Sequence, residues 1–202
     1  IAAGVFHSLG IKADGTVKAW GRNSQGQTDV PQDLNNVISV GRGVFHSLAV
    51  KNDGTVVAWG RNDKVQTAVP EGLSDVMAVS GGYEHSLALK EDGTVVAWGS
   101  NSQGQTDIPT GLNEVVAIAA GDNHNLAVKA DGKVVAWGRN NQGQITVPEG
   151  LNDVVAVQAG ASHSLALKED GTVVAWGGNS QGQSAVPGDL NNVVAISGGN
   201  FH

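Results

Sequence analysis

The chain has 202 residues, with 12 Lys and Arg against 19 Asp and Glu, a net charge of −7 and no cysteine. The acidic balance and the scatter of the basic residues disfavour a nucleic-acid partner, and without cysteine there is no disulfide framework, thiolate nucleophile or cysteine-ligated zinc. No apolar run reaches membrane-spanning length, so no membrane partner is expected, and a start at Ile1 inside a repeat says nothing about a leader.

The order of elements is set by a repeat. Trp20, Trp59, Trp98, Trp137 and Trp176 are spaced 39 residues apart, and His7, His46, His85, His124, His163 and His202 keep the same interval. A fixed period of this size is one supersecondary unit copied in series, each copy stable only against its neighbours. Taking the copy around Trp98 in chain order, the run from Asp75 to Gly82 predicts a first strand. After Tyr83-Glu84-His85, the run Ser86 to Lys90 predicts a second strand, and Thr94 to Gly99 a third. Asp92-Gly93 between the last two is a tight-hairpin signal, repeated at Asp14-Gly15, Asp53-Gly54, Asp131-Gly132 and Asp170-Gly171. No window carries a sustained helical period, so the fold class is all-β with three antiparallel strands per copy. The linker after each Trp is long, and Gln105-Thr-Asp-Ile108 is read as a fourth, outer strand stopped by Pro109.

In the third strand Thr94, Val96 and Trp98 face one way while Val95 and Ala97 face the other, so the sheet is apolar on both sides. Radial stacking of such sheets around an axis covers both faces of every copy, which is the logic of a β-propeller; a β-solenoid is the alternative. Five 39-residue units form a single domain over residues 1–202, and residues 193–202 begin a sixth. Residues 1–7 match 196–202 in register. Three arrangements stay open: closure of a five-bladed ring, in which this last run replaces the first residues beside the hairpin of copy one; a segment of a longer or engineered array; and head-to-tail self-association.

The unit Gly-x-x-His-Ser-Leu-Ala-Leu-Lys-x-Asp-Gly-x-Val-x-Ala-Trp-Gly-x-Asn-x-x-Gly-Gln, as at Gly82 to Gln105, resembles the repeat of the regulator of chromosome condensation superfamily. The short form, with Val147-Pro148 after Gly143-Gln144 and a Val-rich strand following, is most similar to the bacterial propeller-type β-lactamase inhibitors. That resemblance implies short three-stranded blades, no catalysis and a protein partner gripped by loops on one face; the compartment is left open, with a secreted or cell-surface bacterial setting favoured. The basic tail and exchange-factor wedge of the eukaryotic members have no counterpart here, so nucleotide exchange is not implied.

His-Ser recurs at His7-Ser8, His46-Ser47, His85-Ser86 and His163-Ser164, but neighbours on a strand point to opposite faces and form no nucleophile–base pair. In the fourth copy the pair is His124-Asn125. These histidines are read as ties from a loop or the next blade to backbone, the Asp-Gly acids as turn chemistry, the tryptophans as core, and Asn101-x-x-Gly104-Gln105 as a loop fixed by its amides. No catalytic residue, metal site or cofactor is assigned, and the chain is not read as an enzyme. The copies differ in two stretches. One is the pair before each histidine: Val5-Phe6, Val44-Phe45, Tyr83-Glu84, Asp122-Asn123, Ala161-Ser162 and Asn200-Phe201. The other follows Trp-Gly, with Arg22, Arg61, Ser100, Arg139 and Gly178, and with Asp63-Lys64-Val65 in place of Ser-Gln-Gly. Strand topology brings both to one end of the ring, placing Phe6, Phe45 and Tyr83 beside Arg22, Arg61, Asp63 and Lys64, opposite a polar side with Asp122, Asn123 and Arg139. Aromatic and arginine residues on a rigid scaffold make this a candidate protein-binding surface; packing of the phenylalanines under their loops is the competing reading, and a lectin-like glycan site is the competing function.

Overall fold

The computed structural model describes all 202 residues and contains only strands and connections. Fifteen strands form five three-stranded antiparallel sheets, each made from one copy. Blade 1 holds β1 (Ala2–Ala3), β2 (His7–Ile11) and β3 (Val17–Gly21); blade 2 holds β4 (Val37–Arg42), β5 (His46–Lys51) and β6 (Val56–Gly60). Blade 3 holds β7 (Val76–Gly81), β8 (His85–Lys90) and β9 (Val95–Gly99); blade 4 holds β10 (Val115–Ala120), β11 (His124–Lys129) and β12 (Val134–Gly138). Blade 5 holds β13 (Val154–Ala159), β14 (His163–Lys168) and β15 (Val173–Gly177). The first strands of all five blades, together with residues 197–198, line one central cavity of about 260 Å³, so the sheets stand around an axis as in a propeller.

The turns form where glycine allows them. Gly93 sits at φ 78°, and a Cβ there would lie 3.1 Å from the Glu114 backbone, so the tip of the β8–β9 hairpin is open only to glycine. Asp92 completes the turn by accepting hydrogen bonds from the Thr94 amide at 2.9 Å and the Thr94 hydroxyl at 2.6 Å. The two faces of each sheet pack against different neighbours, as the alternation requires. Val96, Ala88 and Trp98 meet Leu48, Val50 and Val79, while Leu87, Leu89, Val95 and Ala97 meet Ala127 and Trp137. The apolar core is therefore four wedges between blades rather than one central mass.

The fourth strand expected at Gln105–Ile108 is absent; this stretch is a turn. Its backbone is committed elsewhere. The Gln105 carbonyl is drawn into the seam with blade 4, the Thr106 amide donates to Asn101 Oδ1 at 3.0 Å, and Ile108 closes back on Thr106. Residues 193–202 form no strand either, yet they sit where the first strand of a sixth copy belongs: the Val193 amide donates to the Gly171 carbonyl at 3.0 Å, as Val154 does to Gly132.

Candidate functional site

The repeated histidines come first, because they recur in every copy and, in most, stand next to a serine. His46, His85, His124 and His163 are fully buried, and His7 nearly so. The Nε2 of His7, His46, His85 and His124 reaches across to the next blade rather than to its own neighbour in sequence. His46 Nε2 lies 2.9 Å from Ser86 Oγ, whose single proton goes to the Gln66 carbonyl at 2.8 Å, so the imidazole must be the donor. Trp98 Nε1 donates to the same Gln66 carbonyl at 2.9 Å. The set repeats as His7, Ser47, Gln27 and Trp59. It repeats again as His124, Ser164, Gln144 and Trp176.

The one exception explains itself. In blade 4 Asn125 takes the place of serine: its Oδ1 accepts from His85 Nε2 at 2.6 Å, and its Nδ2 donates to the Gln105 carbonyl at 2.7 Å. An amide supplies both the acceptor and the donor that a hydroxyl supplies, so the seam survives. The histidines are thus ties, as expected, but to a side chain of the next blade rather than to backbone. Burial holds His46 and His124 neutral with pKa values lowered to about 3, and His85 to about 4. The ring of each also lies on a glycine: a Cβ on Gly82 would come within 2.1 Å of the His85 ring. In the four seams the histidine and its serine or asparagine partner are sealed from solvent, and the imidazole hydrogen and the hydroxyl or amide hydrogen are committed to the next group in the chain of bonds.

The loops above the seams are different. The Ser100 amide donates to the Glu84 carbonyl at 2.8 Å, and Arg61 to Phe45 in the same way, so the two variable stretches do share one end of the ring. Phe6 and Phe45 stack with ring centroids 5.7 Å apart, and Tyr83 meets Phe45 edge-on at 5.6 Å. Arg22 lies over Phe6 at 5.1 Å and Phe45 at 5.8 Å; Arg61 lies over Phe45 at 5.6 Å and Tyr83 at 6.0 Å. The result is one continuous ladder of three rings and two guanidinium groups crossing blades 1 to 3. Phe6 is exposed, whereas Phe45 and Tyr83 are half-buried by one another, which answers in part the question of packing against display.

Arg61 is held by Asp63 and, at 3.2 Å, by Glu84. Glu84 was not singled out from the sequence, although it is the only acid directly preceding a repeated histidine. Lys64 is exposed, and its amide is fixed by the side chain of buried Gln66. Val65 beside it has φ 57°, a left-handed conformation at the position where other copies have glycine, and its side chain is 57% exposed. A β-branched residue there stores strain.

Asp122 adjoins the ladder through its carbonyl, which accepts from the Tyr83 amide at 2.9 Å, but neither it nor Arg139 stacks on a ring. With Asn141, Ser162 and Ser180 they border a polar cavity of about 370 Å³ between blades 4 and 5, and Asn123 is half-buried beside it in sequence. Burial raises the Asp122 pKa, opposed by Arg42 and Arg139. Arg42, at the end of β4, also escaped the sequence reading; its Nε donates to the Ala3 carbonyl at 2.8 Å. Of the ten candidate residues, Phe6, Phe45, Tyr83, Arg22, Arg61 and Asp63 are joined by stacking or ion pairing, Asp122 and Arg139 border the polar cavity, and Lys64 and Asn123 adjoin these only in sequence.

The family model described as "Regulator of chromosome condensation (RCC1) repeat" matches residues 1–27, 37–66, 77–105, 115–144 and 154–183. No curated protein matches by sequence. Among solved structures, the chain is similar to human WBSCR16, with 24% identity over 87% of this chain and 60% of that one, TM-score 0.71. It is similar to Prp20p of Saccharomyces cerevisiae, a protein with binding properties toward Gsp1p and histones, with 21% identity over 94% and 60%, TM-score 0.72. It is also similar to the ectodomain of the Physcomitrella patens receptor kinase CR4, with 21% identity over 98% and 55%, TM-score 0.81. The chain spans just over half the length of these structures, and at such identity the likeness is one of fold.

Proposed function

Because the chain belongs to the regulator of chromosome condensation repeat family, we propose that it is a non-enzymatic propeller scaffold that grips a protein partner through the upper rim of blades 1 to 3. The ladder of Phe6, Phe45 and Tyr83 with Arg22 and Arg61 carries this reading. Aromatic and arginine side chains dominate protein-binding hot spots, and stacking fixes these before any partner arrives, which lowers the entropy lost on binding. Arg22 is exposed and makes no ion pair, so an acidic group on the partner finds a free guanidinium above two rings. Prp20p, which shares the fold, binds protein partners. The sealed His–Ser pairs support the absence of catalysis.

The test is the double variant Phe45→Ala and Tyr83→Ala. Affinity for a protein captured by the wild-type chain is expected to fall at least ~10-fold while the thermal midpoint moves by a few degrees at most. Lost stability with intact binding sinks the proposal. The similarity to the bacterial propeller-type inhibitors makes a β-lactamase the first partner to assay, and no inhibition at micromolar protein removes that version. A glycan-binding reading is favoured by one feature, the polar cavity at Asp122, Arg139 and Ser162, and a glycan array decides it.

A further inference from the structure

The end of the ring opposite the rim carries apolar side chains that the core does not use. The inner strands β4, β7, β10 and β13 each start with a bulge, between Val37 and Ser39, Val76 and Ala78, Val115 and Ala117, and Val154 and Ala156. A bulge re-aims the side chain it inserts. The inserted residues are Ile38, Met77, Val116 and Val155, and they are 47–56% exposed, while the valine before each is buried. Their identity varies between copies and their apolar character does not. The four strands are successive neighbours around the axis, so the four side chains take equivalent places along one arc. Single exposed apolar residues are ordinary on a protein surface; a run of them at equivalent places is the kind of patch that marks a contact.

The charges around this arc have one sign in excess. Hairpin tips and strand starts meet here: the Val76 amide donates to the Gly54 carbonyl at 3.1 Å and the Glu91 amide to the Asp75 carbonyl at 2.8 Å, and blade 5 repeats both bonds with Val154, Gly132, Glu169 and Asp153. The lysines of this end are spent. Lys51 pairs with Asp53, Lys90 with Asp92, Lys129 with Glu114, Lys133 with Asp131 and Lys168 with Asp170. Asp75, Glu91, Asp153 and Glu169 are exposed and make no ion pair; only Asp75 has a side-chain partner, the Ser74 hydroxyl at 2.8 Å. Four carboxylates thus flank the apolar arc without a cation. A second copy would bring its own excess of carboxylates to the contact, and a lipid or nucleic-acid surface would bring phosphates, so like charge opposes all three. From this complementarity we propose that the end of blades 2 to 5 opposite the rim is a second docking surface, for a segment of a protein partner with an apolar stripe flanked by lysine or arginine. The stripe covers the four bulge residues, and its cations meet the four free carboxylates. The surface is independent of the aromatic rim, since β7 has its bulge at one end and leads to Tyr83 at the other.

The probe is a fluorescent helical peptide of about four turns, with leucine along one stripe and lysine elsewhere, followed by anisotropy at about 0.15 M salt. Saturable one-to-one binding is expected. Met77→Ser with Val116→Ser should weaken it at least ~10-fold, and Glu91→Gln with Glu169→Gln several-fold, with a shallower salt dependence. All four positions are exposed, so the thermal midpoint is expected to move by a few degrees at most. Phe45→Ala with Tyr83→Ala should leave the affinity for this peptide unchanged, which separates the surface from the rim. No saturation at millimolar peptide overturns the inference, as does binding indifferent to Met77→Ser with Val116→Ser. Equal binding of a peptide with serine in place of leucine also overturns it, because charge alone then accounts for the contact. A wild-type dimer that Met77→Ser with Val116→Ser dissolves, or binding to vesicles of anionic lipid, gives the face to another occupant and overturns it too.

Discussion

The seams between blades and the rim above them teach opposite lessons from the same repeat. Every internal seam uses one histidine donor, one serine or asparagine, one tryptophan and one glutamine carbonyl, and the only departure, Asn125, keeps both hydrogen bonds. On the rim the pair before the histidine changes from Val-Phe to Tyr-Glu to Asp-Asn to Ala-Ser. What is copied holds the wedges together; what is not copied is free of that duty. Identity between copies therefore marks structure in this chain, and recognition has to be sought where copies disagree.

The widest way to break the comparison is acid. His46, His85 and His124 are neutral in the fold, with pKa values lowered to about 3 or about 4, against 6.5 when unfolded. Above pH 6.5 neither state binds these protons and stability is full; below it the unfolded state takes up protons that the folded state refuses. Each histidine then costs about 1.4 kcal/mol per pH unit, so the three together remove roughly 6 kcal/mol at pH 5. That approaches the whole stability of many domains, about 5–15 kcal/mol. Urea titrations from pH 7 to pH 5 should show this slope, and a flat profile would mean that the seams are not closed to protons.

A smaller effect separates a closed seam from an exposed ring with a single residue type. Trp98→Ala removes a buried ring and leaves the Gln66 carbonyl short of one donor, which should cost about 3–5 kcal/mol. Trp20→Ala, in blade 1, should cost under ~1 kcal/mol, because the ring is largely in water already. Equal losses in denaturant midpoints would show that Trp20 is covered in solution.

The strands, hairpins and two-faced packing were legible because each is local: Asp92-Gly93 makes its turn within a few residues, and alternation alone sends Val96 and Trp98 one way and Val95 the other. The clustering of the two variable stretches followed from strand direction. What was not legible lies one copy away. His46 bonds Ser86, a separation of 40 residues, and the period says which residues are equivalent without saying which equivalent residues touch. The false fourth strand at Gln105–Ile108 has the same origin, since the carbonyl that would enter a ladder is claimed by Asn125 and Trp137 of the next blade. Trp20 reads as core from its sequence, whereas in the fold it is 53% exposed. The pairing of Arg61 with Glu84 joins loops of different copies and leaves no periodic trace.

Val65 gives the finest test, because it lies where the two regions meet. Its backbone belongs to the repeated loop that presents buried Gln66 to the seam, and Gly26, Gly104, Gly143 and Gly182 hold the equivalent left-handed position at φ 74–82°. Its side chain belongs to the rim, exposed beside Asp63 and Lys64. A seam selected for stability alone would have glycine here, since an L-residue pays about 1–2 kcal/mol in this conformation. Val65→Gly should therefore raise stability by about 1 kcal/mol, a rare gain from deleting an apolar side chain. If the rim is the recognition surface, the same change weakens partner binding several-fold, because the strained valine is then an exposed contact kept at the cost of the fold. A variant that is more stable and binds as before would show that the loop tolerates its valine without using it, and the rim would have to end at Arg61.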